Sequence, residues 1–344
     1  MALMLEGLQP RLVWSSYTTS SRAPVRLVAN RSQVFALTAH ELGSPLLRSS
    51  DGALFEVMPT TLRAVPLALA ADDDALWVVG YNGLVAKSLD RGSTWTAVRQ
   101  GSNATFHSLA RDTKGRVWIA EAVAEDERSS VLRALGADRP FAPVTLGTLA
   151  TLELYADPRD GNPWLFGSRG QLQRWTGNQF ARVSVKATKP RAHLALLRLG
   201  TGALVLAASQ GTLFRSNDDG ATWVELRINV KTHFTALAHT PFGLFVLGTN
   251  GVIAVSFDLA RNFHVVRTPV TWRQATLTRA AGGLLIGTDQ GRIYQLDAAE
   301  LGRLFRAAYS DRDPLLAALA SRVIDGDAGA ELVLEDALRE RDLW

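Results

Sequence analysis

The sequence predicts an all-β fold, a seven-bladed β-propeller followed by a short α-helical C-terminal extension. Two observations lead to this prediction. A unit of two apolar strands around a tight glycine turn returns about every forty residues, and one eight-residue phrase, SLDRGSTW at residues 88–95, returns as SNDDGATW at residues 216–223. Short strands that are separated by Gly and Asp turns at this period are typical of propeller blades, each of which has four strands.

The repeat is clearest at its central turn. Five units share this turn, and their turn glycines are 87, 41, 40 and 40 residues apart, so the first interval holds two periods. The five segments are LWVVGYNGLVAKS (76–88), WLFGSRGQLQRW (164–175), LVLAASQGTLFRS (204–216), LFVLGTNGVIAVS (244–256) and LLIGTDQGRIYQL (284–296). Two units with longer turns, at residues 115–135 and 33–50, bring the number to seven.

The two ends of the repeat region are expected to meet. The seventh unit ends near Asp297 with three strands, and the segment RLVWSS (11–16) is a strand left over before the first unit. We therefore expect this N-terminal strand to be the outer strand of the last blade, which closes the ring. The predicted organisation is an N-terminal segment at 1–10, a propeller at 11–297 and a helical extension at 298–344.

The repeated phrase, Ser-x-Asp-x-Gly-x-Thr-Trp, has a local physical explanation. Its Asp carboxylate can accept hydrogen bonds from backbone N–H groups of the same turn, its Gly takes a positive φ, and its aromatic ring fills space between blades. Two further copies are eroded, SFDLARNF at 256–263 and SSDGALF at 49–55, which is one residue short. The two complete copies and the eroded copy at 256–263 comprise Ser88, Asp90, Gly92, Thr94, Trp95, Ser216, Asp218, Gly220, Thr222, Trp223, Ser256, Asp258 and Phe263.

This phrase resembles the Asp-box, or BNR repeat, of sialidases, of sortilin-type propellers and of the YCF48-like, seven-bladed photosystem-assembly propellers. The resemblance implies a propeller in which the boxes are structural turns, remote from the sites that bind ligands. For the photosystem-assembly propellers it also implies a protein that assists the assembly of a larger complex.

Composition argues against several classes of protein. The net charge is only +4, and no run of Lys or Arg predicts nucleic-acid binding. The absence of cysteine excludes disulfides and Cys-based zinc sites. The N-terminus lacks the pattern of a signal peptide, and no stretch approaches the roughly 18 apolar residues of a membrane span. We therefore expect a cytoplasmic protein that has no membrane or nucleic-acid partner.

The sequence assigns no catalytic or cofactor site. A sialidase needs an arginine cluster, a Tyr–Glu pair and an acidic residue, and no such set stands at matching blade positions. His107, His193 and His233 lie at or before the first strands of blades. They could face the central channel as a metal ring, or as polar caps of strand ends, which we favour. Asp72 and Asp74 are expected in a solvated turn rather than in a calcium site, and we predict no enzyme activity, cofactor or metal.

The expected binding surface is the face that carries the turns between the second and third strands and the connections between blades. Its most individual feature is a long acidic turn between residues 121 and 130. The candidate partner-binding residues on this face are Tyr81, Asn82, Glu125, Asp126, Arg128, Arg169, Gln210, Asn250 and Asp289.

The C-terminal extension is a second candidate surface. Leu301, Leu304 and Phe305 share one helical face. Leu315 and Leu316 belong to a following helix, and these apolar faces either pack on the ring or await another chain. We predict a non-enzymatic scaffold or assembly factor that binds other proteins in a multiprotein complex, by analogy with cytoplasmic bacterial propellers. The alternative is a glycan-directed propeller, either a lectin or a sialidase-like glycoside hydrolase.

Overall fold

The structure, a computed structural model, consists of four-stranded sheets followed by helices. It describes residues 10–15, 25–30, 32–38, 46–59, 62, 64–99, 103–122, 129–136, 139–148, 152–167, 170–187, 191–280, 283–310, 312–325 and 329–341. Within these ranges the chain forms seven antiparallel sheets and three helices.

The strands are short, as expected for blades. The first half of the chain contains β1 (Arg11–Ser15), β2 (Val25–Ala29), β3 (Val34–Thr38), β4 (Leu46–Ser49), β5 (Glu56–Met58), β6 (Pro66–Ala71), β7 (Leu76–Gly80), β8 (Val85–Ser88), β9 (Thr96–Arg99), β10 (Thr105–Arg111), β11 (Val117–Ala122), β12 (Ser129–Gly136), β13 (Arg139–Thr148) and β14 (Leu152–Ala156). The remaining strands are β15 (Pro163–Gly167), β16 (Leu172–Trp175), β17 (Phe180–Arg182), β18 (His193–Arg198), β19 (Leu204–Ala208), β20 (Thr212–Ser216), β21 (Val224–Arg227), β22 (Phe234–Thr240), β23 (Gly243–Gly248), β24 (Val252–Ser256), β25 (His264–Arg267), β26 (Ala275–Ala280), β27 (Gly283–Thr288) and β28 (Arg292–Asp297). The helices are α1 (Ala298–Tyr309), α2 (Pro314–Ile324) and α3 (Ala330–Glu340).

Six of the sheets are built from four consecutive strands, and the seventh joins both ends of the repeat region. The six are β2–β5, β6–β9, β10–β13, β14–β17, β18–β21 and β22–β25, and the seventh has the order β1-β28-β27-β26. β1 pairs antiparallel with β28, with Arg11 opposite Gln295. The Arg11 guanidinium also donates to Gln295 Oε1 at 2.7 Å. The N-terminal strand therefore lies where the sequence predicts it.

Neighbouring sheets contact each other through their innermost strands. These strands are β2, β6, β10, β14, β18, β22 and β26; each contacts the next, and β26 contacts β2. The second strands β3, β7, β15, β19, β23 and β27 are buried along their whole length, because neighbouring sheets cover both of their faces. The predicted all-β propeller with short helices at the C-terminus is confirmed.

The repeated phrase forms one hydrogen-bonded turn. The Ser88 hydroxyl donates to Asp90 Oδ1 and accepts the Gly92 N–H, both at 2.8 Å. Asp90 in turn accepts the Thr94 N–H at 2.8 Å and the Thr94 hydroxyl at 2.6 Å. The second copy repeats every one of these bonds, with Ser216, Asp218, Gly220 and Thr222.

The eroded copy at 256–263 keeps the same turn although it has lost the glycine. Ser256 accepts the Ala260 N–H at 2.8 Å, and Asp258 accepts the backbone and side-chain N–H groups of Asn262 at 2.8 and 2.7 Å. Ala260 has φ +64°, in the left-handed region that Gly92 and Gly220 occupy at +88° and +89°. The Asp-centred hydrogen bonds therefore hold the turn even where its backbone conformation is unfavourable for the residue present.

The C-terminal helices pack on the sixth and seventh sheets. α1 begins after Asp297, whose carboxylate accepts the Ala299 N–H at 2.8 Å as an N-cap. α1 and α2 approach closely at Gly302, where an added Cβ would lie 2.6 Å from Cγ1 of Ile324. Tyr309 at the end of α1 donates its hydroxyl to the carbonyl of Phe257 in the eroded turn. None of the helices in the described ranges is long and apolar enough to cross a membrane.

The packing of these helices buries part of the binding surface that the sequence predicts. Leu301, Leu304, Phe305 and Leu316 are candidate partner-binding residues on helix faces for which the sequence leaves open both packing on the ring and contact with another chain. They are buried in one core with residues of the sixth and seventh sheets. The chain itself covers the apolar helix faces, because the neighbouring blade surface is apolar and adjacent in sequence. Leu315 points away from this core and is 54% exposed.

Candidate functional site

The candidate site is one face of the ring, at which the turns between second and third strands project. Asn82, Gln210 and Asn250 lie at the tips of three of these turns, with φ between +55° and +60°. Each is followed by a glycine with positive φ, and two consecutive residues of this kind form the hairpin turn that fits strand twist. At Gly211 an added Cβ would lie 2.4 Å from the Val230 carbonyl oxygen, so the close approach also requires glycine.

Hydrogen bonds join these turns to the connections between sheets. The Tyr81 N–H donates to the Val65 carbonyl at 3.0 Å, and the Asn250 N–H donates to the Trp272 carbonyl at 2.8 Å. The side-chain amide of Gln290 donates to the Thr271 carbonyl at 2.9 Å. The turns and the inter-sheet connections therefore form one continuous surface, and backbone hydrogen bonds fix its shape.

The predicted surface residues are distributed around this face. Tyr81 is 46% exposed, and Asn82, Gln210 and Asn250 are exposed. Asp289 is half-buried, and its carboxylate accepts the Arg273 N–H at 3.0 Å. The remaining candidates, Glu125, Asp126, Arg128 and Arg169, lie outside the described residues.

The turns surround the mouth of the central channel, which opens into a cavity of about 410 Å³. The first strands supply its charged wall. Arg26 on β2 and Glu153 on β14 form an ion pair across the channel, with Nη2 and Oε1 3.3 Å apart. His107, Thr235 and Asp289 also line the cavity. Since β2 and β14 belong to the first and fourth sheets, this pair bridges strands that are not neighbours.

Two of the three histidines singled out in the sequence line this mouth. His193 is buried, and its Nδ1 lies 3.2 Å from the Gln171 carbonyl oxygen. Burial lowers the pKa of His193, against the opposing effect of the Gln171 carbonyl. Burial also lowers the pKa of His107, although the nearby Glu153 carboxylate opposes this shift. His233 is exposed, and the described residues contain no group of three His, Asp or Glu side chains that is able to hold a metal.

A second cavity, of about 790 Å³, lies at the opposite mouth, where α1 and α2 form part of the wall. Asp72 lines it and accepts the N–H groups of Asp74 and Ala75 at 2.9 and 2.8 Å. Asp72 also forms an ion pair with Arg111 of the third sheet. The sequence predicts that this acidic turn is solvated, but in the structure its Asp72 also joins the turn to the third sheet.

A buried ionic contact, which the repeat does not predict, joins the fourth and fifth sheets. Asp157 accepts hydrogen bonds from the Arg198 guanidinium at 2.6 Å and from the Trp164 indole at 3.1 Å. Burial alone raises the pKa of Asp157, but the hydrogen bonds from Arg198, from the Arg159 N–H and from Trp164 outweigh it and hold the pKa below its usual value. The signal was an Asp followed six or seven residues later by Trp, since Asp112 accepts the Trp118 indole N–H in the same way.

Comparison with solved structures supports the fold. YCF48 bound to D1 peptide shares 14% identity, with a TM-score of 0.62 over 84% of this chain and 97% of that chain. YCF48 from Cyanidioschyzon merolae shares 17%, with a TM-score of 0.51 over 64% and 76%. Catalytically inactive virginiamycin B lyase from Staphylococcus aureus with quinupristin shares 10%, with a TM-score of 0.66 over 83% and 97%.

The chain is a β-propeller. Identities this low show a common fold and no common activity, since one of these neighbours is solved with a D1 peptide and another is a lyase. No protein-family model and no curated protein matches the chain.

Proposed function

We propose that this propeller is a non-enzymatic scaffold that binds another protein through the face of the strand turns. The observation that carries the proposal is the face itself, where exposed Tyr81, Asn82, Gln210 and Asn250 stand on turns that are hydrogen-bonded to the inter-sheet connections. A surface with a preformed shape loses little conformational entropy when a partner binds. An exposed tyrosine adds an amphipathic contact of the kind enriched in protein interfaces.

The solved neighbours add support for a protein partner. YCF48 has been solved with a peptide of D1, so this fold accommodates peptide ligands. By analogy, a segment of a partner protein would lie on the corresponding face of this chain. We further infer that the seven sheets act as the blades of one closed ring, that the Ser–Asp–Gly turns place the chain among Asp-box propellers, and that the protein works in the cytoplasm within a multiprotein complex.

The test is capture of partners by tagged full-length chain in native cells. The face variant combines Tyr81→Ala and Gln290→Ala, which remove exposed side chains without changing a residue of positive φ. The control variant combines Leu89→Ala and Asn217→Ala, at exposed positions of the Ser–Asp–Gly turns on the opposite face. We expect stoichiometric partners with the wild-type and control chains, and a loss of about tenfold or more with the face variant.

Two results would contradict the proposal. Equal capture by the face variant and the control variant would move the binding surface away from the strand turns. If no chain captures a stoichiometric partner, the scaffold function is wrong, and binding to glycans becomes the function to test.

A further inference from the structure

We propose that the channel mouth beside this face is a binding site for a zwitterionic small molecule of the α-amino acid class. The inference rests on the cross-channel contact between Arg26 and Glu153, on a buried hydroxyl that lines the same cavity, and on apolar residues that also line it. It goes beyond the scaffold function, because a partner protein can bind the turns whether or not a small molecule fills the mouth.

The ion pair presents one cation and one anion side by side inside a cavity. Arg26 Nη2 and Glu153 Oε1 are 3.3 Å apart, and the side chains remain 40% and 36% exposed, so both are accessible from the mouth. In an α-amino acid the carboxylate and the ammonium group are attached to the same carbon. Such a ligand replaces one internal ion pair with two intermolecular pairs and leaves neither protein charge without a partner.

Ligands with a single charge fit this arrangement less well. A carboxylate that binds Arg26 would displace Glu153 and lie beside it, so two like charges would share one guanidinium. An ammonium group that binds Glu153 would leave the Arg26 guanidinium without its partner. The geometry therefore selects for both charges in one molecule, held close together.

The rest of the wall supplies contacts for such a molecule. The hydroxyl oxygen of Thr235 is buried and has no hydrogen-bond partner among the residues that the structure describes, and Thr235 lines this cavity. An unsatisfied buried hydroxyl is costly, and a polar ligand group would satisfy it. Val25, Leu194 and Ala275 line the cavity as well and can receive an apolar side chain. The volume of about 410 Å³ lies within the range of roughly 300–1,000 Å³ that is usual for small-molecule sites.

The first experiment compares three compounds by isothermal titration calorimetry on the full-length chain. L-leucine carries both charges, 4-methylpentanoate is leucine without its ammonium group, and 3-methylbutylamine is leucine without its carboxylate. We expect L-leucine to bind at least about tenfold more tightly than either half-molecule. Equal binding of all three compounds, or no binding of L-leucine at about 10 mM, would overturn the proposal.

Two variants test the assigned side chains. Glu153→Gln should weaken L-leucine binding at least about tenfold and leave 4-methylpentanoate binding unchanged or tighter, because the repelling carboxylate is gone. Thr235→Val keeps the branched shape, removes the hydroxyl and should weaken L-leucine binding about threefold to tenfold.

The matched control is Glu56→Gln. It removes a carboxylate on the outer strand β5 of the first sheet, away from the mouth, where it pairs with Arg48 of the neighbouring strand β4. This variant should bind L-leucine like the wild type. If Glu153→Gln and Glu56→Gln bind L-leucine equally well, with unfolding temperatures that show both are folded, the site is not the channel mouth.

Discussion

The Arg198 guanidinium of the fifth sheet donates two hydrogen bonds to the Asp157 carboxylate of the fourth sheet. Both side chains are almost completely buried, with 4% and 0% of their surfaces exposed. The backbone N–H of Arg198 also donates to the Tyr155 hydroxyl at 2.9 Å. A bidentate contact of this kind joins the two sheets and also fixes their relative position.

Removal of one partner of this pair should be severely destabilising. In Asp157→Ala the buried Arg198 charge loses its bidentate partner, and the Trp164 indole N–H loses its acceptor. Asp219 Oδ1 lies 2.5 Å from Arg198 Nη2 and still pairs with the guanidinium in this variant. We therefore expect the free energy of unfolding to fall by about 2–4 kcal/mol, less than the full cost of an unpaired buried charge. Denaturant titration of the wild type and the variant measures this difference.

The control for this experiment is Asp336→Ala, which truncates an exposed aspartate on α3 that pairs with Arg339. It should change the free energy of unfolding by less than about 1 kcal/mol. A similar small effect for Asp157→Ala would mean that the contact between the sheets is not a stabilising one.

The Ser–Asp–Gly turns should make stability depend on pH in the acid range. Hydrogen bonds from the Thr94 hydroxyl and N–H, and from the Ser88 hydroxyl, lower the pKa of Asp90 from 3.8 to about 2. The matching bonds from Thr222 and Ser216 lower the pKa of Asp218 to about 2. Because the pKa is lower in the folded state, this stabilisation is complete above about pH 4 and is lost as the pH falls towards about 2.

The measurement is the unfolding temperature as a function of pH for the wild type and for Asp90→Asn with Asp218→Asn. The double variant should be less stable than the wild type above about pH 4, and the two curves should converge towards about pH 2. Parallel curves across this range would show that these carboxylates do not contribute to the acid dependence.

The sequence predicts well whatever is determined within one turn or one blade. The bonds of Asp90 and Asp218 involve residues at most four positions away, so the phrase itself specifies them. The Asp157–Arg198 contact joins residues 41 positions apart and depends on how two sheets stack. No local pattern states which Arg an Asp will meet, although the Asp–Trp spacing does indicate that the Asp is turned inward.

Among the residues of the candidate site, the sequence likewise predicts those that the repeat places and does not predict the contacts between distant sheets. The turn residues Tyr81, Asn82, Gln210 and Asn250 could be placed on one face because the repeat fixes their register. The Arg26–Glu153 contact could not be predicted, because it crosses the channel between the first and fourth sheets and no repeat relates the two positions. For the helices, the amphipathic pattern showed which face is apolar but not that the chain itself covers it.

The glycine of the repeated phrase should be required for packing as well as for conformation. Gly220 has φ +89°, and an added Cβ would lie 2.6 Å from Cη2 of the buried Trp164 ring in the preceding sheet. Gly177 has φ +104° and nothing within 4 Å of the added Cβ. Gly177→Ala should therefore cost about 1–2 kcal/mol from backbone strain alone, and Gly220→Ala about 1–3 kcal/mol more from the clash.

Thermal and denaturant unfolding of these two variants separates the contributions. Equal losses of stability would show that the Trp164 ring moves aside without cost. A circular dichroism spectrum that matches the wild type in both variants would show that the comparison is made within one fold.

The C-terminal helices should behave as part of the propeller core and not as a free docking arm. Phe305 is fully buried and lies 6.0 Å from the Phe242 ring and 4.6 Å from the Tyr309 ring, measured between centroids. Phe305→Ala should lower the free energy of unfolding by about 3–5 kcal/mol, because it leaves a cavity against the sixth and seventh sheets. Leu315→Ala, at an exposed position of the same extension, should cost less than about 1 kcal/mol. Denaturant unfolding that gives the two variants equal stability would show that the helices do not pack on the ring in solution, and would return their apolar faces to consideration as a binding surface.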